Sequence, residues 1–194
     1  MSRSSRSADT RTPRSLKETL GLMTVGSLVS VLLGPAVLAL ATPVARPWTL
    51  VTSVYAHAGL WHLLANALVV GVAGLPVAAA TTRVRFHGFF LATGAAAGVA
   101  QIAAGADAVV GASGAAFALV GYVLAANPVT GLLGARVDVS PRALVVVVAA
   151  VAVGLALLLG GSGGALVAHA AGAALGLAAG RSRVLATGGP GTER

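Results

Sequence analysis

Six long apolar stretches run through the chain, near residues 20–41, 58–80, 86–105, 112–127, 142–159 and 163–180, parted by short segments of Arg, Asp, Asn, Pro and Gly. Roughly 20 such residues, coiled as a helix, cross a hydrocarbon core of about 30 Å. In lipid every backbone N–H and C=O must be satisfied within the protein, and a helix does this inside one segment. The pattern therefore predicts an all-α membrane protein, a bundle of six transmembrane helices. Composition agrees, because 57% hydrophobic and 9% charged residues is a balance that soluble domains of this length do not show.

The polar segments set the expected topology. Arg3, Arg6, Arg11, Arg14 and Lys17 precede the first span, Arg83 and Arg85 follow the second, Arg136 and Arg142 the fourth, and Arg181, Arg183 and Arg194 the sixth. Only Arg46 falls on the other side, so the positive-inside rule puts both termini in the cytoplasm. Residues 1–18 read as a disordered polar tail, 19–180 as the six-span core and 181–194 as a second polar tail. Pro35 is expected to kink span one, Pro76 and Pro128 lie near the ends of spans two and four, and Ser140-Pro141 caps span five. Ala39-Leu40-Ala41 resembles a signal-peptide cleavage site, but the apolar run before it is longer than a usual signal h-region and reads as a retained span. No internal repeat and no second domain is evident.

Composition also narrows the chemistry. The absence of cysteine excludes disulfides, thiolate metal sites and a cysteine nucleophile. The formal charge of +8 comes from arginines between apolar runs without interleaved aromatics, which fits topology and a lipid bilayer, not nucleic acid. One lysine against twelve arginines, with abundant Ala, Gly and Val, suggests a GC-rich bacterial genome, and hence an inner (plasma) membrane location.

Polar residues gather at the outward ends of three spans. Gly111-Ala-Ser113-Gly114 places one hydroxyl where a loop becomes a buried helix, at the positive end of the dipole and beside N–H groups lacking intrahelical partners. A nucleophile with a developing oxyanion needs such a position. Taken alone, the run is also how membrane helices pack closely. His57 and His62 begin span two, and His62 shares a helical face with Asn66. His169 lies early in span six, on one face with Gly172 and Gly176, opposite the small-residue face Gly114, Ala118 and Gly121 of span four. Close approach of those faces would bring the His169 ring to Ser113.

These stretches resemble the signature pieces of the rhomboid intramembrane serine proteases: His-x4-His-x3-Asn (His57, His62, Asn66), Gly-x-Ser-Gly-x3-Ala-x2-Gly (Gly111, Ser113, Gly114, Ala118, Gly121) and His-x2-Gly-x3-Gly (His169, Gly172, Gly176). The resemblance covers about residues 20–180. It implies a six-span rhomboid-like bundle in which Ser113 is the nucleophile and His169 its general base, a dyad that needs no cofactor and no metal. It further implies that His62, Asn66 and the Ser113 N–H form an oxyanion hole. Phe117 matches the position where members often carry a Tyr under the catalytic ring. Its expected partners are single-pass transmembrane substrates, approached through a lid at Gly160–Gly164. Thr49 stands where members often have Arg after Trp48, and Ala78 and its neighbours lack the acidic residue many carry. His87 reads as a solvated interfacial histidine. Two other readings compete: an inert rhomboid-like protein that binds transmembrane helices, which usually lacks the serine or histidine kept here, and a small transporter, which would need mid-membrane charges or broken helices.

Overall fold

The computed structural model describes residues 12–41, 45–126 and 165–187. Among them are helices α1 (Arg14–Leu33), α2 (Thr49–Tyr55), α3 (Leu60–Ala80), α4 (Arg83–Ala103), α5 (Ser113–Ala126) and α6 (Leu166–Arg181), with a 3₁₀ turn at Pro35–Val37. Expected span five, its Ser140-Pro141 cap, Pro128, the Gly160–Gly164 loop and most of both tails lie outside the described residues. α1, α3 and α4 are long and apolar enough to cross a membrane, and α5 and α6 are shorter apolar helices. Leu64, Leu68, Val72 and Leu75 form an exposed stripe along α3, as Leu22, Val25 and Leu28 do on α1, so these faces suit lipid. The molecule is a helical membrane bundle.

Two boundaries differ from the sequence expectation. α1 starts at Arg14, inside the stretch read as a polar tail, and ends at Leu33 instead of continuing through a kink. Pro35 has no N–H to continue the ladder, and Gly34, at φ +87°, takes a conformation from which the chain leaves the helix. The outward connection 42–57 contains α2, a short helix the hydropathy pattern does not reveal. α2 is wedged between neighbours: the bare Gly26 of α1 faces the Tyr55 carbonyl, and Gly94 of α4 faces Val54.

α5 is the central element, with Ala115, Ala116, Ala118, Leu119 and Tyr122 all buried. A helix apolar all round must be enclosed, and α5 is covered by α3, α4 and α6. It runs parallel to α6 in a register that advances four residues at a time. Gly172 lies on the Gly114 carbonyl, Gly176 on the Ala118 carbonyl and Gly180 on the Tyr122 carbonyl, so a Cβ at any of the three would collide with backbone. Small residues at one-turn spacing let the two backbones touch, which is how apolar helices associate where lipid supplies no hydrophobic drive. Met23, Val70, Val77, Phe86 and Phe90 fill the space between α1, α3 and α4.

The two ends of the bundle differ in polarity. At one end Glu18 accepts from Arg14 (3.0 Å), Arg83 (2.7 Å) and His87 (3.0 Å), and Arg85 donates to the Ala186 carbonyl (2.7 Å). His87 is thus a half-buried tie between α4 and α1, with Thr19 3.4 Å from its other nitrogen, and not the solvated histidine expected. The early start of α1 brings Glu18 within its reach. At the other end Arg46 donates to the Ala36 carbonyl (2.9 Å), and there α5 begins.

Candidate active site

The loop from α4 into α5 is pinned one residue after another. Val109 forms a two-bond bridge with Leu40, at 2.8 and 3.0 Å. The Gly111 N–H donates to the Ser53 carbonyl at 2.8 Å, and the Ala112 N–H to His57 Nε2 at 3.3 Å. Gly111 has φ +124°, and a Cβ on it would stand 2.7 Å from Cε1 of His62. Conformation and space both require glycine there, which gives the first glycine of the serine motif a physical reason. The His62 ring thus lies against the residue two before Ser113, and meets His57 edge to face at 5.1 Å.

Ser113 is the first residue of α5, where the leading N–H groups have no intrahelical acceptors. Phe117, one turn on and on the same face, stacks on the His169 ring with centroids 4.5 Å apart and planes 11° from parallel. Gly114 packs against Gly172, three residues beyond His169 on α6. His169 therefore stands beside the first turn of α5, on the side that carries Ser113. Ser113, Phe117, His62 and His169 are all partly exposed, whereas His57 is buried. Asn66 is buried below His62 and donates from Nδ2 to the His62 carbonyl at 2.9 Å. The second Nδ2 hydrogen remains for another acceptor.

Chemically this arrangement offers a hydroxyl at a helix N-terminus, an imidazole held flat on the phenyl ring one turn further along the same helix, and the side chains of His62 and Asn66 at the same end of the bundle. Among the described residues no three His, Cys, Asp or Glu side chains gather into a group that could hold a metal ion.

Two polar residues that no motif singles out join this region. Gln101 of α4 accepts the Ala168 N–H at 3.0 Å and so ties α4 to the residue before His169. Its signal in the sequence is an amide near the end of an apolar run, where an unpartnered polar group is costly. Ser27 of α1 lies 3.0 Å from His57 Nδ1 and donates to the Met23 carbonyl at 2.7 Å. A weak signal for it is the polar stripe Ser15, Thr19 and Ser27 at multiples of one turn, all buried. Although it is a serine beside a histidine, this pair lacks the arrangement of a dyad. Nε2 of His57 accepts from a backbone N–H, so Nδ1 carries the ring proton and has no lone pair to take the Ser27 hydrogen.

No curated protein matches the chain. The rhomboid domain family matches residues 44–184, a segment that holds every expected site residue and most of the chain. With the α5–α6 glycine register and the three polar clusters at one end of an apolar bundle, that match shows that the chain belongs to the rhomboid family.

Proposed function

We propose that this rhomboid protein is a serine endopeptidase that cuts single-pass membrane proteins in or beside their transmembrane segments. The observation that carries the reading is the stacking of His169 on Phe117, which holds an imidazole over the face of α5 that begins with Ser113. In this reading His169 takes the Ser113 hydroxyl proton as the oxygen attacks the scissile carbonyl. The oxyanion is received by the Ser113 N–H, Asn66 and His62, and His169 then protonates the leaving amine. Water repeats the sequence on the acyl-enzyme and restores the serine. Because a substrate helix shelters its peptide bonds, it must unwind locally to reach Ser113, so cleavage is expected at a small residue near the outward end of the span, helped by a Gly or Pro just beyond it that weakens the helix. The arginines Arg14, Arg83, Arg85 and Arg181 lie at the end of the bundle opposite Ser113, which supports cytoplasmic termini and an outward-facing site, while the Arg-, Ala- and Gly-rich composition supports a bacterial plasma membrane.

The test is labelling by a fluorophosphonate in detergent, together with cleavage of a single-pass substrate. The wild-type protein is expected to be labelled and active, and Ser113→Ala and His169→Ala to be neither while remaining folded. A folded wild-type protein that neither reacts nor cleaves, yet captures transmembrane helices, would establish the inert binding protein instead. Cleavage by Ser113→Ala would remove the assigned nucleophile.

A further inference from the structure

We propose that Ser27 of α1 is a positioning residue for the active-site loop, holding the His57 imidazole in the Nδ1–H form so that its Nε2 lone pair fixes the Ala112 amide beside Ser113. The inference rests on the proposed function only for its kinetic consequence. Donor and acceptor chemistry fixes the direction of each bond. A backbone N–H can only donate, so Ala112 N, 3.3 Å from Nε2, requires an unprotonated Nε2. The neutral ring then carries its hydrogen on Nδ1, 3.0 Å from Ser27 Oγ. Ser27 Oγ accepts that hydrogen because its own goes to the Met23 carbonyl at 2.7 Å. One directed chain results, from the Ala112 amide through His57 and Ser27 to the backbone of α1.

Ser27 is 7% exposed, His57 1% and Ala112 0%, so water has little room to substitute for any link. Without the Ser27 acceptor the Nδ1 hydrogen loses its side-chain partner, and the Nδ1–H form is favoured by the Ala112 bond without that second support. The alternative tautomer turns an N–H toward the Ala112 N–H, two donors facing each other in a buried place. The Gly111 amide is already bound to Ser53, so the Ala112 tether fixes the second of two consecutive peptide groups. The Ala112 carbonyl meanwhile accepts from Ala116 at 2.8 Å, in the first turn of α5. Two consecutive amides, immediately before Ser113, are thereby held by α2 and by His57. Ser27 lies outside residues 44–184, so α1 contributes to the site from beyond the family match.

The experiment is ¹⁵N-imidazole NMR on the full chain in detergent micelles, with His57→Gln identifying the resonance, alongside kinetics on a single-pass substrate. Wild type and Ser27→Thr are expected to hold His57 as Nδ1–H, and Ser27→Ala to shift it toward Nε2–H. An Nε2–H ring in the wild type, or an unchanged ring in Ser27→Ala, overturns the proposal; should Ser27→Ala not fold, Ser27→Cys, whose thiol is only a weak acceptor, takes its place with the same expected shift. In kinetics Ser27→Ala is expected to lower kcat about tenfold with KM unchanged, as a small misplacement of reacting groups does. Ser27→Thr restores kcat. In the His57→Gln background the amide oxygen can accept from Ala112 with no tautomer to set, so Ser27→Ala has no further effect there. Equal losses in both backgrounds overturn the proposal. Absent fluorophosphonate labelling of the wild type defeats the protease reading, while the NMR result still judges Ser27.

Discussion

The Phe117 ring lies flat against the His169 imidazole, joining the first turn of α5 to the early part of α6. This contact spans the same two helices that meet backbone to backbone at Gly114 and Gly172. Helix separation and ring orientation are therefore set together: the glycines bring α6 close, and the phenyl ring gives the imidazole a surface to lie on.

Phe117→Leu removes the stacked partner while keeping an apolar side chain. Such stacking contributes about 0.5–1.5 kcal/mol, so kcat is expected to fall by several-fold with little change in KM or thermal stability. Phe117→Tyr keeps the ring and is expected to retain activity. Equal rates for the Leu and Tyr variants, measured on one substrate, would mean that the ring does not orient His169.

Asn66→Ala removes a donor proposed for the oxyanion. Losing one such donor raises the barrier by about 2.7–4 kcal/mol, so turnover is expected to drop by two to three orders of magnitude without vanishing, because backbone donors remain. Fluorophosphonate labelling should slow in parallel. A full rate at saturating substrate would leave Asn66 with only its bond to the His62 carbonyl.

Gly176→Ala puts a Cβ onto the Ala118 carbonyl, and neither backbone can yield without parting the helices. Overpacking of this kind costs about 1–3 kcal/mol, which thermal unfolding in detergent will register as a lower Tm. Gly88→Ala, where a Cβ meets nothing within 4 Å, is the matched control and is expected to leave Tm nearly unchanged. Comparable losses at both positions would show a general intolerance of methyl groups in these helices instead of a close contact at one.

Glu18→Gln tests the polar end of the bundle. The carboxylate joins Arg14 on α1 to Arg83 and His87 on α4, but the two arginine side chains are 80% and 58% exposed. Exposed pairs are worth about 0–1 kcal/mol each, so a small fall in Tm at low salt is expected, shrinking as ionic strength rises. A large loss that persists in high salt would mean that the cluster is shielded from solvent in the membrane.

The sequence by itself determined that the chain forms apolar membrane helices and which polar and small residues share a helical face. Those are local properties: hydropathy of one segment settles whether lipid can surround it, and helical periodicity settles which of His62, Asn66, Gly172 and Gly176 share a face. Gly111, Ser113, Phe117 and His169 were legible as a group because their spacing follows a family pattern, and the structure adds why Gly111 must lack a side chain. Tertiary structure decided everything that depends on a neighbour. α2 is too short to stand out by hydropathy, and it exists where Gly26 and Gly94 leave room for it. His87 meets Glu18 only because α1 begins a turn before its apolar stretch. Ser27 looks like any small residue in an apolar span until α1 is laid beside the loop holding His57, since a hydroxyl acquires a role from the group it faces and not from its own position in the chain.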